Sequence, residues 1–83
     1  MFSVELEPGA IRQFRRLDPP MARRIESAMR SLGDTQESGK PLHAPLAGRR
    51  SLRVGEYRII YKVYPSERRV AVLRIAHRRE VYR

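Results

Sequence analysis

The chain has no cysteine, only two histidines (His43 and His77) and six aromatic residues among its 83. Without cysteine there is no disulfide framework, no thiolate catalysis and no cysteine-based zinc site, a composition that suits a reducing compartment and sets the expected location as cytoplasmic. Two isolated histidines cannot supply the usual ligand set of a transition metal, so neither a metal nor another cofactor is expected. Few large aromatic anchors in a short chain mean a thin stability margin, so a tightly packed sheet or a folded partner is expected to help. No apolar run approaches membrane length, and the opening MFSVELEPG carries acids where a secretory leader would be basic. Neither a leader nor a membrane contact is therefore expected. Acidic residues are also scarce, nine against eighteen Lys and Arg, for a net charge of +9.

The excess is unevenly placed. Residues 1–48 hold seven basic and six acidic side chains, whereas residues 49–83 hold eleven and three. A field concentrated in one half of the chain attracts polyanions, and because that half has the pattern of strands rather than of a basic amphipathic helix, it points to nucleic acid before membrane. At this length one domain spanning residues 1–83 is expected.

Residues 2–6, FSVEL, alternate apolar and polar as a strand does, and Pro8-Gly9 ends it. Ala10, Ile11, Phe14 and Leu17 then fall at helical spacing, with Arg12, Arg15 and Arg16 outside. Asp18-Pro19 suits the cap and first position of a second helix, which buries Met21, Ile25, Ala28 and Leu32 and closes at Gly33. DTQESGKPLHAPLAG reads as an ordered surface loop. SLRV, YRIIYKVY and VAVLRIA, separated by Gly55-Glu56 and Pro65-Ser66-Glu67-Arg68, predict an antiparallel meander. The expected fold is thus α+β, in the order β-α-α-β-β-β, with two helices on one face of a small sheet.

Period two along YRIIYKVY places Arg58, Ile60, Lys62 and Tyr64 on one face and Tyr57, Ile59, Tyr61 and Val63 on the core face. On the next strand Val70, Val72 and Arg74 alternate with Ala71, Leu73 and Ile75, which puts Arg74 near Arg58 on the polar face, depending on register. Arg49, Arg50, Arg53, Arg74 and Arg79 are candidate RNA-binding residues, and Arg58, His77, Arg78 and Tyr82 are candidate catalytic ones. Guanidinium groups bind phosphoryl oxygens without a metal. His77, set among arginines, is a side chain able to exchange a proton near neutral pH. Tyr82 can stack on a base, and Arg68 and Arg69 are read as ordinary surface charges.

KPLHAPLAGRRSLRVGEYRIIYKV followed by VAVLRIAHRREVYR resembles the RelE/ParE superfamily of toxins from bacterial and archaeal toxin–antitoxin pairs, its RelE branch in particular. The likeness spans the whole chain and rests on the G-x-YR-x-x-Y and HR-x-x-VY elements in that order. It implies a two-helix hairpin on a small antiparallel sheet, a cognate antitoxin partner, and metal-independent cleavage of mRNA in the ribosomal A site by attack of a ribose 2′-hydroxyl on the adjacent phosphate. By position it implies that Arg58 stabilises the transition state, Arg78 contacts the scissile phosphate and Tyr82 holds the substrate nucleotide. Lysines that often precede the G-x-YR strand in RelE relatives are replaced here by Arg49, Arg50, Ser51 and Arg53. Arginine is a poor base, so that role is left to His77 or Tyr82. The same fold allows two other readings: a ParE-like DNA gyrase inhibitor without nuclease activity, and RNA binding without cleavage.

Overall fold

The computed structural model describes residues 1–81. The order is β1 (Ser3–Leu6), α1 (Pro8–Arg15), α2 (Pro19–Leu32), β2 (Lys40–Pro41), β3 (Arg49–Val54), β4 (Tyr57–Tyr64), β5 (Arg69–His77) and α3 (Arg78–Val81). The strands form one sheet in the order β1-β5-β4-β3-β2, antiparallel except where edge strand β1 runs parallel to β5. The α+β layering expected from the sequence is present. Two short elements join it: β2, which arises inside the Pro-rich loop, and α3, the last turn described. No described helix is long and apolar enough to cross a membrane.

Helices α1 and α2 cover one face of the sheet. Ala10, Ile25, Met29 and Leu32 meet Ile59, Tyr61, Val70, Val72 and Ile75 in a continuous core. Ile11 departs from the expected helix face and stays exposed, because Ala10, Phe14 and Leu17 already fill the stripe facing the sheet. Between them Gln13 takes a polar role. Pairing of β1 with β5 ends at Val72, and the Gln13 side-chain oxygen accepts the Ile75 backbone N–H at 2.7 Å. Asp18 occupies the cap of α2, yet its side chain makes no capping bond. Pro19 and Pro20 bring no N–H to the first two helical positions, which removes one of the two donors an N-cap carboxylate ordinarily reaches.

The tip of the β3–β4 hairpin is Gly55-Glu56, where Gly55 at φ +60° supplies the positive first position of a type II′ turn. Strand β5 departs from regular alternation. Ile60 pairs with Arg74 while Tyr61 pairs with Val72, so Leu73 is an extra residue, a β-bulge. Without it Val72 and Arg74 would share a face, as uninterrupted alternation predicts. With it Val70, Val72 and Ile75 all enter the core, and Arg74 joins Ala71 and Ala76 on the opposite face. One inserted residue therefore corrects the expected pattern and keeps a guanidinium out of the core.

Candidate functional site

The sheet face away from α1 and α2 carries long cations over a small apolar floor. In strand register, Lys40, Ser51, Ile60 and Arg74 form one row across β2, β3, β4 and β5. Arg53, Arg58 and Ala76 form the next row, and Arg49, Lys62, Ala71 and Glu5 lie on the other side. Ile60, Ala71 and Ala76 are buried on this face, with Arg58, Lys62 and Arg74 half-buried beside them. Glu5 at the β1 edge holds Arg69 at 3.6 Å and Glu67 holds it at 3.2 Å, while the Arg69 guanidinium lies 4.2 Å from the centre of the Tyr64 ring. Arg69 is thus fully engaged at one end of the face.

The other end is different. Arg53 stands directly opposite Arg58 across β3 and β4, a like-charge pair that destabilises a sheet unless an anion lies between. Here Ser38, Lys40, Ser51, Arg53 and Arg58 line a cleft of about 250 Å³. Among the described residues, the Arg58 Nε and the Ser51 Oγ are buried side-chain polar atoms with no hydrogen-bond partner, and both belong to this cleft. A buried donor on a charged side chain is costly unless a ligand completes it, and a phosphoryl oxygen is the natural complement of a guanidinium.

The remaining sequence candidates divide by position. Arg49 is exposed on the cationic face opposite Lys62, and Arg74 reaches the end of that face, donating to the Glu80 carbonyl at 3.1 Å. Arg50 falls in the row of Tyr61, on the helix side, and donates to the Gly39 carbonyl at 2.7 Å, so its head braces the β2 loop. His77 also faces the helix side. It pairs with Tyr57, their rings meeting edge to face at 5.4 Å, and together with Gln13, Arg16, Ile75 and Glu80 they line a cavity of about 170 Å³. The His77 Nδ1 accepts the Arg79 backbone N–H at 3.3 Å, which assigns the neutral ring as the Nε2–H form. Arg78 and Arg79 are exposed at the start of α3, and the Arg78 Nε forms an ion pair with Glu56 Oε2 at 3.0 Å across the hairpin tip. Tyr82 lies outside the described residues.

The structure therefore gathers Arg53 and Arg58 in one row and Lys40 and Arg74 in the next, with Arg49 farther along the same face. It separates them from Arg50 and His77. Sequence reasoning passed over Lys40 and Ser51. Ser51 was legible from its alternation with Arg49 and Arg53. Lys40 sits in a loop with no periodicity, and only its pairing with β3 shows which way it faces.

The path of the loop is set from the core. Tyr61, fully buried, donates its hydroxyl to the Gln36 carbonyl at 2.7 Å and accepts the Gly39 N–H at 2.8 Å. Gly39 is required at that approach, since a Cβ there would stand 2.7 Å from the Tyr61 oxygen and 3.0 Å from the Ser51 backbone.

Comparison with known proteins agrees with this architecture. The family described as the ParE toxin of the type II toxin–antitoxin system parDE matches residues 4–82. Toxin RelG of Mycobacterium tuberculosis is 34% identical over 84 residues, covering 99% of this chain and 97% of its own. Toxin RelE of the same organism is 38% identical over 52 residues, 63% of this chain and 54% of its own. Among solved structures, the toxin–antitoxin complex RelBE2 from Mycobacterium tuberculosis contains a chain that superposes with a TM-score of 0.87 at 29% identity, covering 92% of this chain and 96% of that one. The isolated RelE toxin of E. coli shares the fold with a TM-score of 0.80 at 18% identity, over 99% of this chain and 92% of its own. A match over nearly the whole chain, on a sheet that exposes a cationic face, settles the family: the chain belongs to the ParE toxin family of type II toxin–antitoxin systems, within the RelE/ParE superfamily.

Proposed function

We propose that this toxin is a metal-independent endoribonuclease that cuts mRNA in the ribosomal A site, acts in the cytoplasm and is neutralised by a cognate antitoxin. The observation that carries this reading is the cleft around Arg58, where a buried, unpartnered guanidinium nitrogen and a cross-strand arginine meet on the face the helices leave open. Attack of a ribose 2′-hydroxyl needs the backbone held in line and the phosphoryl oxygens neutralised as charge builds, and guanidinium groups fixed on paired strands provide both. Arg58 is assigned to the developing charge. Arg78 is assigned to the scissile phosphate, which it can reach by exchanging Glu56. Exposed pairs of that kind contribute only about 0–1 kcal/mol, so a phosphate competes for the side chain readily. Arg49, Arg53 and Arg74 extend the track for the RNA backbone, while Arg50 and Arg79 stand at its margins. Tyr82 retains its assignment to the substrate nucleotide, and His77 serves as a proton-exchanging group at the strand end.

Single-turnover cleavage of a defined message on programmed ribosomes tests the reading. The parent protein is expected to cut, and Arg58→Ala to lose on the order of 10²-fold or more, the usual cost of removing a donor that acts in the transition state. Inhibition of DNA gyrase supercoiling with messages left intact would give the assignment to the gyrase-poisoning alternative. Salt-sensitive RNA binding without cut products would reduce the activity to binding.

A further inference from the structure

Breaking an RNA strand requires a proton at the leaving 5′-oxygen, and the arginines of the cleft cannot give one, because a guanidinium is in practice never deprotonated. Ser51 presents a neutral hydroxyl. The remaining cation of the cleft is Lys40, which sequence periodicity leaves unassigned. On β2 it stands directly opposite Ser51, so the two Cβ atoms are about 4.5–5.5 Å apart and both side chains point to the same face. Ser51 in turn stands opposite Ile60, two residues along β4 from Arg58. An ammonium and the unpartnered guanidinium nitrogen thus overlook one cleft from two sides.

The backbone on both sides of Lys40 is held unusually firmly for a two-residue edge strand. On one side the Gly39 N–H donates to Tyr61 and the Gly39 carbonyl accepts from Arg50; on the other the Leu42 N–H donates to the Arg49 carbonyl at 2.8 Å. The tie to a fully buried tyrosine makes the position of Lys40 part of the core's geometry, as a group that must meet a reacting atom requires. His77 offers no equivalent, since it faces the helix side of the sheet.

We infer that Lys40 is the proton donor of the cleavage reaction, delivering its ammonium proton to the 5′-oxygen as the phosphorus–oxygen bond breaks. The inference rests on the endoribonuclease reading above. The 2′-oxygen forms its bond to phosphorus and gives its proton, through the base of the reaction, to solvent water. The 5′-oxygen leaves with the bonding electron pair and takes the proton from Lys40, which is reprotonated from solvent. The products are a 2′,3′-cyclic phosphate and a 5′-hydroxyl, with Arg58 neutralising the non-bridging oxygens throughout.

The test uses Lys40→Arg and Lys40→Met with two ribosome-bound messages, one natural and one carrying sulfur in place of the scissile 5′-oxygen. Arginine keeps the charge and withholds the proton, and methionine removes both. Both variants are expected to lose roughly 10²–10⁴-fold in single-turnover rate on the natural message, the range for loss of a general acid. On the sulfur message, whose leaving thiolate needs no proton, Lys40→Arg is expected to return to near the parent rate while Arg58→Ala remains slow. A parental rate for Lys40→Arg on the natural message overturns the inference and leaves the nuclease reading intact. An equal loss on both messages also overturns it, making Lys40 a charge contact. If the parent protein cuts neither message, both readings fall together. Circular dichroism distinguishes loss of the fold from loss of the proton, and an exposed edge residue gives the variants little reason to unfold.

Discussion

Tyr61 joins the core to the loop that carries Lys40 to the cationic face. Its ring lies among Ile59, Val72 and the helix residues, and its hydroxyl bridges the Gln36 carbonyl and the Gly39 N–H. Burial pushes the phenol above its ordinary value of 10.0, the Gly39 hydrogen bond opposing the shift only in part. A group whose folded pKa is raised holds its proton more tightly in the native state. Its contribution is therefore complete below the unfolded value, about 10, and is lost as pH rises through the folded one. Urea unfolding should show a midpoint that declines above about pH 10, a decline that Tyr61→Phe makes shallower. The same substitution should lower stability at neutral pH by about 1–3 kcal/mol, because it leaves two backbone groups unsatisfied. An unchanged alkaline slope in Tyr61→Phe would mean that the phenol does not titrate with unfolding.

At the scale of elements, the decisive pieces are the shortest. Strand β2 has two residues, and its docking depends on a glycine that lets the loop reach Tyr61 and β3. Gly39→Ala should destabilise the protein by about 1–3 kcal/mol, the usual range for overpacking where neighbours cannot move aside. It should also slow cleavage beyond what the stability loss explains, since β2 carries Lys40. Hydrogen exchange read at the Leu42 amide would report the displacement, and parental protection there with parental stability would show that the loop accommodates the methyl group. The bulge at Leu73 acts in the opposite direction along the chain. It preserves the core set Val70, Val72 and Ile75 and gives Arg74 to the cationic face. The helices, the three long strands and their turns were legible because each is announced by its own period or by Gly and Pro. The bulge was not, since alternation shows which residues share a parity but not where a strand skips one.

For the whole molecule, two layers divide the work. Two helices consume the apolar face of the sheet, and the opposite face holds Lys40, Arg49, Arg53, Arg58, Lys62, Arg69 and Arg74, with Glu5 at its edge. Such a surface favours a polyanion, and a partner that hides it has to bring acids. Producing the toxin alone should arrest growth, and co-producing its cognate antitoxin should restore it, with growth curves and the soluble folded protein measured together. Normal growth in the presence of folded toxin would count against a toxic activity.

The sequence by itself determined the α+β class, the pairing of β3, β4 and β5, Ile25 and Leu32 as core residues of α2, though not Met29, and the position of Arg58 on the face opposite Tyr61. Those follow from local periodicity and turn chemistry, which neighbouring residues already contain. Tertiary structure alone decided the register that lets Arg74 share the face of Arg58 while Val70 and Val72 stay in the core, that Arg50 and His77 lie on the other face, and that Lys40 stands across from Ser51. Each of these depends on register between strands distant in the chain, and a single skipped residue or a two-residue edge strand changes which side chains meet without leaving a local signal.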